Sequence, residues 1–389
     1  MRKDNSKSSL NGNSRPRVVA AMSGGVDSSV AAALLVRQGY DVVGMMMRLW
    51  SEPARGAEAP LNRCCTPDQM ADARRIADQL DIPFYVVDVQ DYFRRAIVQF
   101  FIDEHERGRT PNPCIECNRQ IRFSYLLDRA RALGADYLAT GHYARVRRDE
   151  QGAYQLLKAV DLGKDQSYVL HVLGQQELAQ VMFPVGDYLK EDVRAIAAQL
   201  DLPVAQKKES MDLCFLGDGD YRRFLREHAA TPANAGPIVG QDGAVLGQHE
   251  GLAYYTIGQR KGLGISAGEP MYVIYKDTAR NALVVGSREQ LGQTELLARG
   301  VNWIAASPPT APLRASVKIR YKANGVMASV YPLSGGNARV CFDDFVVGAT
   351  PGQGVVFFDG NVCLGGGLIA DRHTVGDGRP DVLSEKGAP

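Results

Sequence analysis

Residues 17–50 read RVVAAMSGGVDSSVAAALLVRQGYDVVGMMMRLW, and this stretch decides the fold. It predicts a buried strand from Arg17, a Gly/Ser loop, an Ala/Leu-rich helix that ends at Gly39, and a second buried strand. A strand, a helix and a strand in this order form a βαβ unit of a parallel sheet. Apolar strands and helices keep alternating along the chain, so the sequence predicts a doubly wound α/β domain that ends near residue 218.

The remaining elements follow from the same periodicities and from turn signals. After residue 218 the chain becomes rich in Gly, Pro and β-branched residues, which predicts two small β-rich units. The expected elements of the α/β domain are helices over Pro67–Leu80, around Tyr92–Glu106 and over Arg119–Leu133, and strands over Phe84–Val89 and 136–146. The expected domains are a disordered basic tail (1–16), the α/β domain (17–218), a β-rich central domain (219–298), a C-terminal β-barrel (299–372) and a loose tail (373–389).

Composition narrows the class of protein. The chain has 389 residues, which at about 150 residues per domain predicts two to three domains. Its 45 Lys+Arg against 44 Asp+Glu leave a net charge of +1, which disfavours a surface that is basic all over but allows local basic patches. No apolar run approaches the roughly 18 residues of a membrane helix, and the first residues lack the apolar core of a signal peptide. We therefore expect a cytoplasmic protein with no membrane partner.

The segment SGGVDSS, Ser23–Ser29, has the features of an anion-binding loop. Glycines let the backbone come close to an anion, and serine hydroxyls and N–H groups at a helix start donate to phosphate oxygens. The loop lacks the lysine of the GxxxxGK[ST] P-loop. A capped helix after a glycine turn is the alternative that needs no ligand.

Seven cysteines in 389 residues do not form the disulfide framework of a small secreted protein. Cys114 and Cys117 form a CxxC pair in GRTPNPCIECN; we expect an extended approach and a helix from Asn118, whose N-terminus would stabilise a Cys117 thiolate. Alone, the pair suits a metal, redox or structural role, and no second CxxC or suitably spaced histidine pair supports zinc. Cys214 in ESMDLCFLG by itself suggests only core packing.

Seven motifs occur in the order seen in one family: SGGVDSS, GRTPNPCIECN, ATGHYAR, KDQSYVL, ESMDLCFLG, YTIGQRKGLGI and NVCLGGG. Over residues 17–370 the chain resembles the tRNA-specific 2-thiouridylases of the PP-loop ATP pyrophosphatase superfamily. The resemblance implies an enzyme that uses ATP to adenylate the C2 oxygen of the flipped-out wobble uridine (U34) of tRNA, with pyrophosphate release. A persulfide then supplies sulfur. The implied cofactors are ATP and Mg²⁺, and the implied partners are the tRNA anticodon stem-loop and a sulfur-donor protein of a cysteine desulfurase relay.

The resemblance also implies roles for individual residues. Cys214 matches the persulfide-bearing cysteine, and Cys117 matches the nucleophile that completes sulfur release through a transient Cys117–Cys214 disulfide. Asp27 is the expected partner of Mg²⁺. The expected ATP-binding residues are Ala21, Met22, Ser23, Gly24, Gly25, Val26, Asp27, Ser28, Met47 and Gly141. The expected tRNA-binding residues are Asn112, Pro113, Cys114, His142, Lys164, Asp165, Gln166, Arg320, Tyr321 and Gln353.

One dense basic run, RASVKIRYK over 314–322, suits RNA or, equally, a solvated strand face. Strand alternation predicts that Lys318, Arg320 and Lys322 share one face and that Tyr321 lies on the other. Arg260 and Lys261 add charge in the central domain.

Many members of this family carry Asp where this chain has Cys114. Together, Cys114, Cys117 and Cys214 are the three ligands that a [4Fe–4S] cluster with one open iron requires, so a persulfide mechanism and a cluster mechanism both stay open.

Cys341 and Cys363 in the last domain are expected to be packing residues. Cys64 and Cys65, in an insertion, are expected to be structural, with a part in sulfur handling as the alternative. Three rival functions are a thiolase that acts on another tRNA base, an amide-forming adenylating synthetase, and an RNA-binding protein with a vestigial nucleotide fold. An intact SGGVDSS loop argues against the last of these.

Overall fold

The computed structural model describes residues 15–50, 52, 66–207, 213–216, 218–266 and 268–371. The predictions for most of the N-terminal tail, for the tail at 373–389 and for Cys64 and Cys65 lie outside these residues. No helix in the described part of the chain has the length and hydropathy needed to cross a membrane.

The described residues form three successive units: an α/β unit, a central unit and a barrel. The strands are β1 Arg17–Ala21, β2 Asp41–Arg48, β3 Phe84–Asp88, β4 Tyr137–Ala139, β5 Ala144–Arg148, β6 Tyr154–Lys158, β7 Val181–Met182, β8 Gly236–Val239, β9 Val245–His249, β10 Tyr272–Asp277, β11 Ala282–Gly286, β12 Gly292–Trp303, β13 Leu313–Lys318, β14 Val326–Leu333, β15 Asn337–Val347, β16 Gly354–Asp359 and β17 Val362–Ile369. The helices are α1 Val26–Arg37, α2 Pro67–Gln79, α3 Gln90–Phe93, α4 Gln99–Glu106, α5 Pro113–Glu116, α6 Leu127–Ala132, α7 Ser167–Leu170, α8 Gln175–Leu178, α9 Lys190–Gln199, α10 Tyr221–His228 and α11 Arg288–Leu291, with π-helical stretches at Arg94–Val98 and Cys117–Leu126.

A five-stranded parallel sheet with strand order β3-β2-β1-β4-β7 is the base of the α/β unit. Val18 and Val19 in the central strand β1 are fully buried, as expected where helices cover both faces of a parallel sheet. The chain runs outward from β1 in both directions, so the loop after β1 lies where doubly wound folds bind ligands. The predicted doubly wound α/β fold is confirmed.

The second and third units are β-rich, as predicted. The central unit has a sheet of order β10-β11-β8-β9. In the third unit, strands β12-β15-β14-β13-β16-β17 close into a six-stranded barrel through the pairing of β12 with β17. The β5–β6 hairpin of the α/β unit adds to this sheet, because β6 pairs with β17 and sets Leu157 opposite Val362.

Two apolar clusters cross between the units. Phe101 of the α/β unit packs in one cluster with Tyr254 of the central unit. Ile115, on the cysteine-bearing helix, packs in another with Phe358 of the barrel. The cysteine helix is therefore supported by the barrel as well as by its own unit.

The structure differs from the predicted elements at several places. The strand predicted over 136–146 is two strands, β4 and β5, separated by a turn at 140–143. A helix, α10, occupies part of the stretch predicted to be β-rich. The domain boundary predicted at 298/299 lies inside β12. Gly300 has a φ of +58° and lies at an irregularity within that strand. In the sequence, a glycine at this position resembles a turn signal, which favours a boundary there.

Candidate functional site

The loop after β1 is shaped by its own serines. The Ser23 N–H donates to Ser28 Oγ over 3.1 Å, and the hydroxyls of Ser28 and Ser29 donate to Gly25 O over 3.1 and 2.8 Å. Gly25 is the N-cap of α1, and no side chain caps this helix start. The first N–H groups of α1 are therefore left for another acceptor, and a helix start of this kind attracts phosphate.

Gly141 closes one side of this loop. A Cβ at position 141 would lie 2.6 Å from Ser28 N and 2.8 Å from the carbonyl carbon of Asp27. Only glycine allows β4 to come this close to the first turn of α1. The structure thus brings together Gly141 and the SGGVDSS loop, which the sequence assigned to one ATP site from segments more than a hundred residues apart.

Two lysines that the sequence analysis did not single out reach the same loop. Lys190 Nζ lies 2.6 Å from Asp27 Oδ1, which also accepts a hydrogen bond from the Tyr143 hydroxyl over 2.8 Å. Lys207 Nζ donates to Gly24 O over 2.9 Å and pairs with Asp72. Both lysines are remote in sequence, and each stands in an unremarkable polar segment, so no local pattern marks them.

Asp27 and Met47, two expected residues of the ATP site, both have protein contacts in this structure. The carboxylate of Asp27, the expected partner of Mg²⁺, is engaged by Lys190 and Tyr143. Met47, near the carboxyl end of β2, is half-buried and packs against two apolar clusters, one of which contains Cys117.

The helix that carries the CxxC pair begins earlier than predicted. Asn112 is its N-cap and accepts a hydrogen bond from the Cys114 N–H over 3.1 Å, and Pro113 occupies the first helical position. The helical path then continues from 113 to 132 through the π-helical stretch that starts at Cys117. The predicted start at Asn118 is wrong because proline is well tolerated in a first turn, where its missing N–H costs no hydrogen bond. Cys114 and Cys117 therefore lie within the first turns of one helix.

At the seam between the α/β and central units, one apolar cluster contains Cys117 and packs against Cys214, whereas Cys114 is not among its residues. Cys114 is exposed, whereas Cys117 is buried and belongs to the apolar cluster that also contains Phe215. Cys214 is half-buried and packs against this same cluster. No disulfide joins any of the five described cysteines.

His142 is buried, which differs from its expected role as an RNA contact. Its Nδ1 and the hydroxyl of Thr140 are 2.6 Å apart, and its Nε2 lies 3.0 Å from Arg122. Burial, reinforced by Arg122, holds the pKa of His142 well below its ordinary value. In this structure the imidazole is a neutral group that contacts Arg122, and its role in RNA binding stays a prediction.

The segment Lys164–Gln166 also serves the fold. Asp165 is buried and its Oδ1 accepts hydrogen bonds from the N–H groups of Ala159 and Ser167. The Gln166 Oε1 accepts from the Tyr143 N–H over 3.0 Å. Asp165 and Gln166 thus organise the turn, while Lys164 remains half-buried beside them.

The basic run of the barrel leaves its strand earlier than alternation predicts. Strand β13 ends at Lys318, and Arg320, Tyr321 and Lys322 lie in the turn that follows, so the single basic strand face is wrong. Arg320 is exposed but donates from Nη2 to Gly348 O over 2.8 Å. The ring of Tyr321 packs near that of Tyr168, with 6.1 Å between the ring centres.

Of the other basic residues that were expected to suit RNA, one is half-buried, one forms an ion pair and two are exposed. Burial lowers the pKa of Lys318, with nearby Asp165 opposing the shift. Arg314 forms an exposed ion pair with Asp343. Arg260 and Lys261 are exposed in the central unit, as their sequence suggested.

Gln353, another expected RNA contact, points to the cysteine loop. Its Nε2 donates to Thr110 O over 2.8 Å, and Thr110 lies four residues before Cys114. The residue therefore links the barrel to the loop that leads into the cysteine helix.

Three protein-family models match the chain, one for each of the three units. Residues 16–218 match the tRNA methyl transferase HUP domain, 222–287 the tRNA methyl transferase PRC-barrel domain, and 293–369 the aminomethyltransferase β-barrel domain. The tRNA-specific 2-thiouridylase MnmA of Geotalea uraniireducens (strain Rf4) is 49% identical over 365 residues, which cover 93% of this chain and 96% of that protein. The chain belongs to the tRNA-specific 2-thiouridylase MnmA family.

A second member of the MnmA family gives a similar match. The tRNA-specific 2-thiouridylase MnmA of Roseiflexus castenholzii (strain DSM 13941 / HLO8) is 48% identical over 370 residues, covering 91% of this chain and 99% of that protein. Among solved structures, NMN synthetase from Francisella tularensis covers 54% of this chain and 72% of its own, with a TM-score of 0.32 and 15% identity.

Two further cysteines of this MnmA-family chain lie away from the seam, as expected for structural residues. Cys363 is buried in the barrel, and burial raises the pKa of its thiol to about 12. Cys341 lies on β15 with its Sγ 3.6 Å from Glu295 Oε2, and burial followed by Glu295 raises the pKa of its thiol. Raised pKa values leave both thiols protonated at neutral pH, so neither is a good nucleophile.

Proposed function

We propose that this MnmA-family chain is an enzyme that thiolates C2 of the wobble uridine (U34) of tRNA, with ATP as the activating substrate. The observation that carries the proposal is the convergence of Cys117 and Cys214 on one apolar cluster, although they are 97 positions apart in sequence (214 minus 117). Relatives that cover more than nine-tenths of the chain support it. We further propose the cytoplasm, where tRNA and ATP are found, as the compartment.

The first step needs an anion site, and the loop after β1 supplies one. The uridine C2 oxygen would attack the α-phosphorus of ATP, and pyrophosphate would leave. The uncapped start of α1 would hold the leaving pyrophosphate, and the nearby charges of Lys190 and Lys207 would offset its negative charge. Met47 and Gly141 stay predicted ATP contacts on the two sides of that loop.

The second step needs a sulfur nucleophile close to an attacking thiol. A Cys214 persulfide, loaded by a donor protein, would attack C2, and AMP would leave with the former C2 oxygen. Attack of the Cys117 thiolate on Cys214 Sγ would then break the S–S bond, leave sulfur on C2, and form a Cys117–Cys214 disulfide. Two external thiols would reduce this disulfide before the next turnover.

Mg²⁺ would enter with ATP, as a companion of its phosphates. Asp27 stays the predicted partner of Mg²⁺, although Lys190 and Tyr143 both contact its Oδ1 in this structure. No step of the reaction is routed through the metal.

A [4Fe–4S] cluster held by Cys114, Cys117 and Cys214 is the alternative source of sulfur. One observation favours it: Cys114 and Cys117 are three residues apart at the start of one helix, and side chains at this spacing share a helix face. A cluster bound there would supply an open iron that holds sulfide, whereas the cysteines themselves would only bind and orient it.

A single-turnover assay tests the proposal. The enzyme is purified without oxygen, assayed for iron and sulfide, and mixed with unmodified tRNA, ATP and a persulfide donor. We expect equal amounts of AMP, pyrophosphate and 2-thiouridine at position 34. Sulfur at another base, or a methylated base when S-adenosylmethionine replaces the sulfur donor, would contradict the assignment. Stoichiometric iron that is required for thiolation would select the cluster alternative.

A further inference from the structure

Glu104 is a buried carboxylate near the end of α4, with only 6% of its side chain exposed. Arginines from three parts of the chain approach it. Arg109, in the loop that leads to the cysteines, donates from Nε to Glu104 Oε2 over 2.6 Å and makes a second contact through Nη2. Arg107, which directly follows α4, has its Nη1 3.1 Å from Glu104 Oε1. Arg299, on barrel strand β12, has its Nη2 3.7 Å from Glu104 Oε2.

The charge of Glu104 is stabilised by this cluster. Burial alone would raise the pKa of Glu104, but hydrogen bonds from Arg109 and Arg107 and the charges of Arg109 and Arg299 together outweigh burial and hold the pKa below its ordinary value. A buried carboxylate that remains charged is a strong constraint on its main partner, because moving Arg109 away would leave much of its charge without compensation. Glu104 therefore fixes Arg109 and Arg299 relative to α4.

Thr110, the next residue of the loop, is held by the barrel. Its N–H donates to Pro351 O over 2.9 Å, and its carbonyl accepts from Gln353 Nε2 over 2.8 Å. Gly352, with a φ of +89°, permits this contact, since a Cβ there would lie 3.2 Å from Thr110 O and 3.3 Å from Arg109 Cβ. Both backbone hydrogen-bonding groups of Thr110 are thus satisfied by the turn at 350–353.

The path from Thr110 to the cysteine helix is short and stiff. Pro111 and Pro113 each fix one backbone dihedral, and Asn112 between them caps the helix. A shift at Thr110 is therefore passed to Cys114 and Cys117 rather than absorbed.

We propose that Glu104 is a positioning residue for Cys117: through Arg109 and Arg299 it holds the cysteine loop and the barrel in one fixed arrangement. This inference rests on the proposed function, because it assigns Glu104 to the sulfur-transfer step of that reaction. ATP binding and adenylation use the loop after β1 and do not depend on Glu104.

The test compares sulfur transfer with adenylation in the Glu104→Gln enzyme. The amide keeps the side-chain shape but cannot hold two arginines by charge. We expect the thiolation kcat to fall by about 10- to 100-fold, the size of effect that a misplacement of about 1 Å produces. Pyrophosphate release in a single turnover, which reports adenylation, should stay within about twofold of wild type, because adenylation precedes the step that Cys117 performs. Iodoacetamide labelling of Cys117, followed by peptide mass spectrometry, should become several-fold faster as the thiol leaves its buried position.

Three further variants separate positioning from general destabilisation. Arg299→Ala, at a partly exposed side chain, removes the barrel's link to Glu104 and should reproduce the kcat loss in a smaller degree. Arg107 contacts the same carboxylate from the end of α4, and its side chain is mostly exposed. Arg107→Ala should therefore behave as wild type. Thr110→Val should also be neutral, because the buried Thr110 hydroxyl has no hydrogen-bond partner among the described residues.

Wild-type thiolation kcat and wild-type Cys117 labelling in both Glu104→Gln and Arg299→Ala would overturn the proposal. A parallel loss of pyrophosphate release and thiolation would also overturn it, since Glu104 would then be merely structural. If the wild-type enzyme makes no 2-thiouridine, the proposed function fails, whereas the labelling comparison still decides whether Glu104 positions Cys117.

Discussion

Replacement of Gly141 by alanine drives a methyl group into the backbone of the phosphate loop. The new Cβ would lie 2.6 Å from Ser28 N and 2.8 Å from the carbonyl carbon of Asp27, whereas ordinary contacts begin at 3.4 Å. Restoring contact at Ser28 N requires a movement of about 0.8 Å (3.4 minus 2.6) of β4 or α1. Neither neighbour is the end of a flexible side chain, so the backbone itself must yield.

The cost of this movement can be estimated from overpacked cores. Forcing an extra methyl group into a packed site destabilises by about 1–3 kcal/mol. If the shift displaces the N–H groups that bind phosphate, the same energy raises the Kd for ATP by about 5- to 150-fold. Isothermal titration with ATP and urea unfolding measure the two effects on the same preparation.

Gly268→Ala is the matched control for this substitution. Gly268 is exposed and has an ordinary φ, and a Cβ there meets no atom of the described residues within 4 Å. Its unfolding free energy and ATP affinity should stay within about 0.5 kcal/mol of wild type. An unchanged Kd for ATP and unchanged unfolding in Gly141→Ala would refute the view that this close contact shapes the loop.

Three further predictions follow from single contacts. Lys190→Met leaves Asp27 without its cation at the helix start, so the Kd for ATP measured by titration should rise at least about tenfold; an unchanged Kd would show that Lys190 does not serve the phosphates. Lys276 is buried without a partner among the described residues, and burial lowers its pKa from 10.5 to about 7. The unfolded chain therefore binds more protons between about pH 7 and pH 10.5, so wild-type stability should rise with pH across that window. Lys276→Met should be more stable at pH 7 and lack this rise in urea unfolding, and a persisting slope would contradict the assignment. Tyr168→Phe removes a buried hydrogen bond to Gly354 O and should cost about 1 kcal/mol in calorimetry, whereas no loss would mean that water replaces the bond.

Local sequence patterns were sufficient for the α/β sheet and the phosphate loop. The strand residues Val18 and Val19 are apolar because both sheet faces are covered, and the glycines before α1 mark an uncapped helix start. The order of the family motifs added Gly141 to this loop. These features are predictable because each depends on neighbours in sequence or on a strict backbone requirement.

Contacts between distant segments were beyond the sequence patterns. The pairing of β6 with β17 joins Leu157 to Val362, and nothing near either residue signals that the hairpin extends the barrel sheet. The Pro-Asn-Pro run suggests an extended approach, yet Asn112 and Pro113 start a helix because capping and first-turn proline act together.

Polar residues assigned to RNA were the least predictable part of the site. Asp165 satisfies two backbone N–H groups inside a turn, and His142 is sealed between Thr140 and Arg122. A sequence motif records that such residues are required, but it does not distinguish a contact with a ligand from a contact that shapes the surface around the ligand. Burial and hydrogen-bond partners show what Asp165 and His142 do for the fold, whereas their contact with RNA stays a prediction.

The role of the two seam cysteines is the central claim, and one measurement tests it most directly. Wild-type, Cys214→Ser and Cys117→Ser enzymes are each mixed once with unmodified tRNA, ATP and a persulfide donor, and pyrophosphate and 2-thiouridine are quantified from the same samples. We expect all three to release pyrophosphate and only the wild type to form 2-thiouridine, because the serine variants retain the phosphate loop but cannot complete sulfur transfer. Full thiolation by Cys214→Ser would contradict the account.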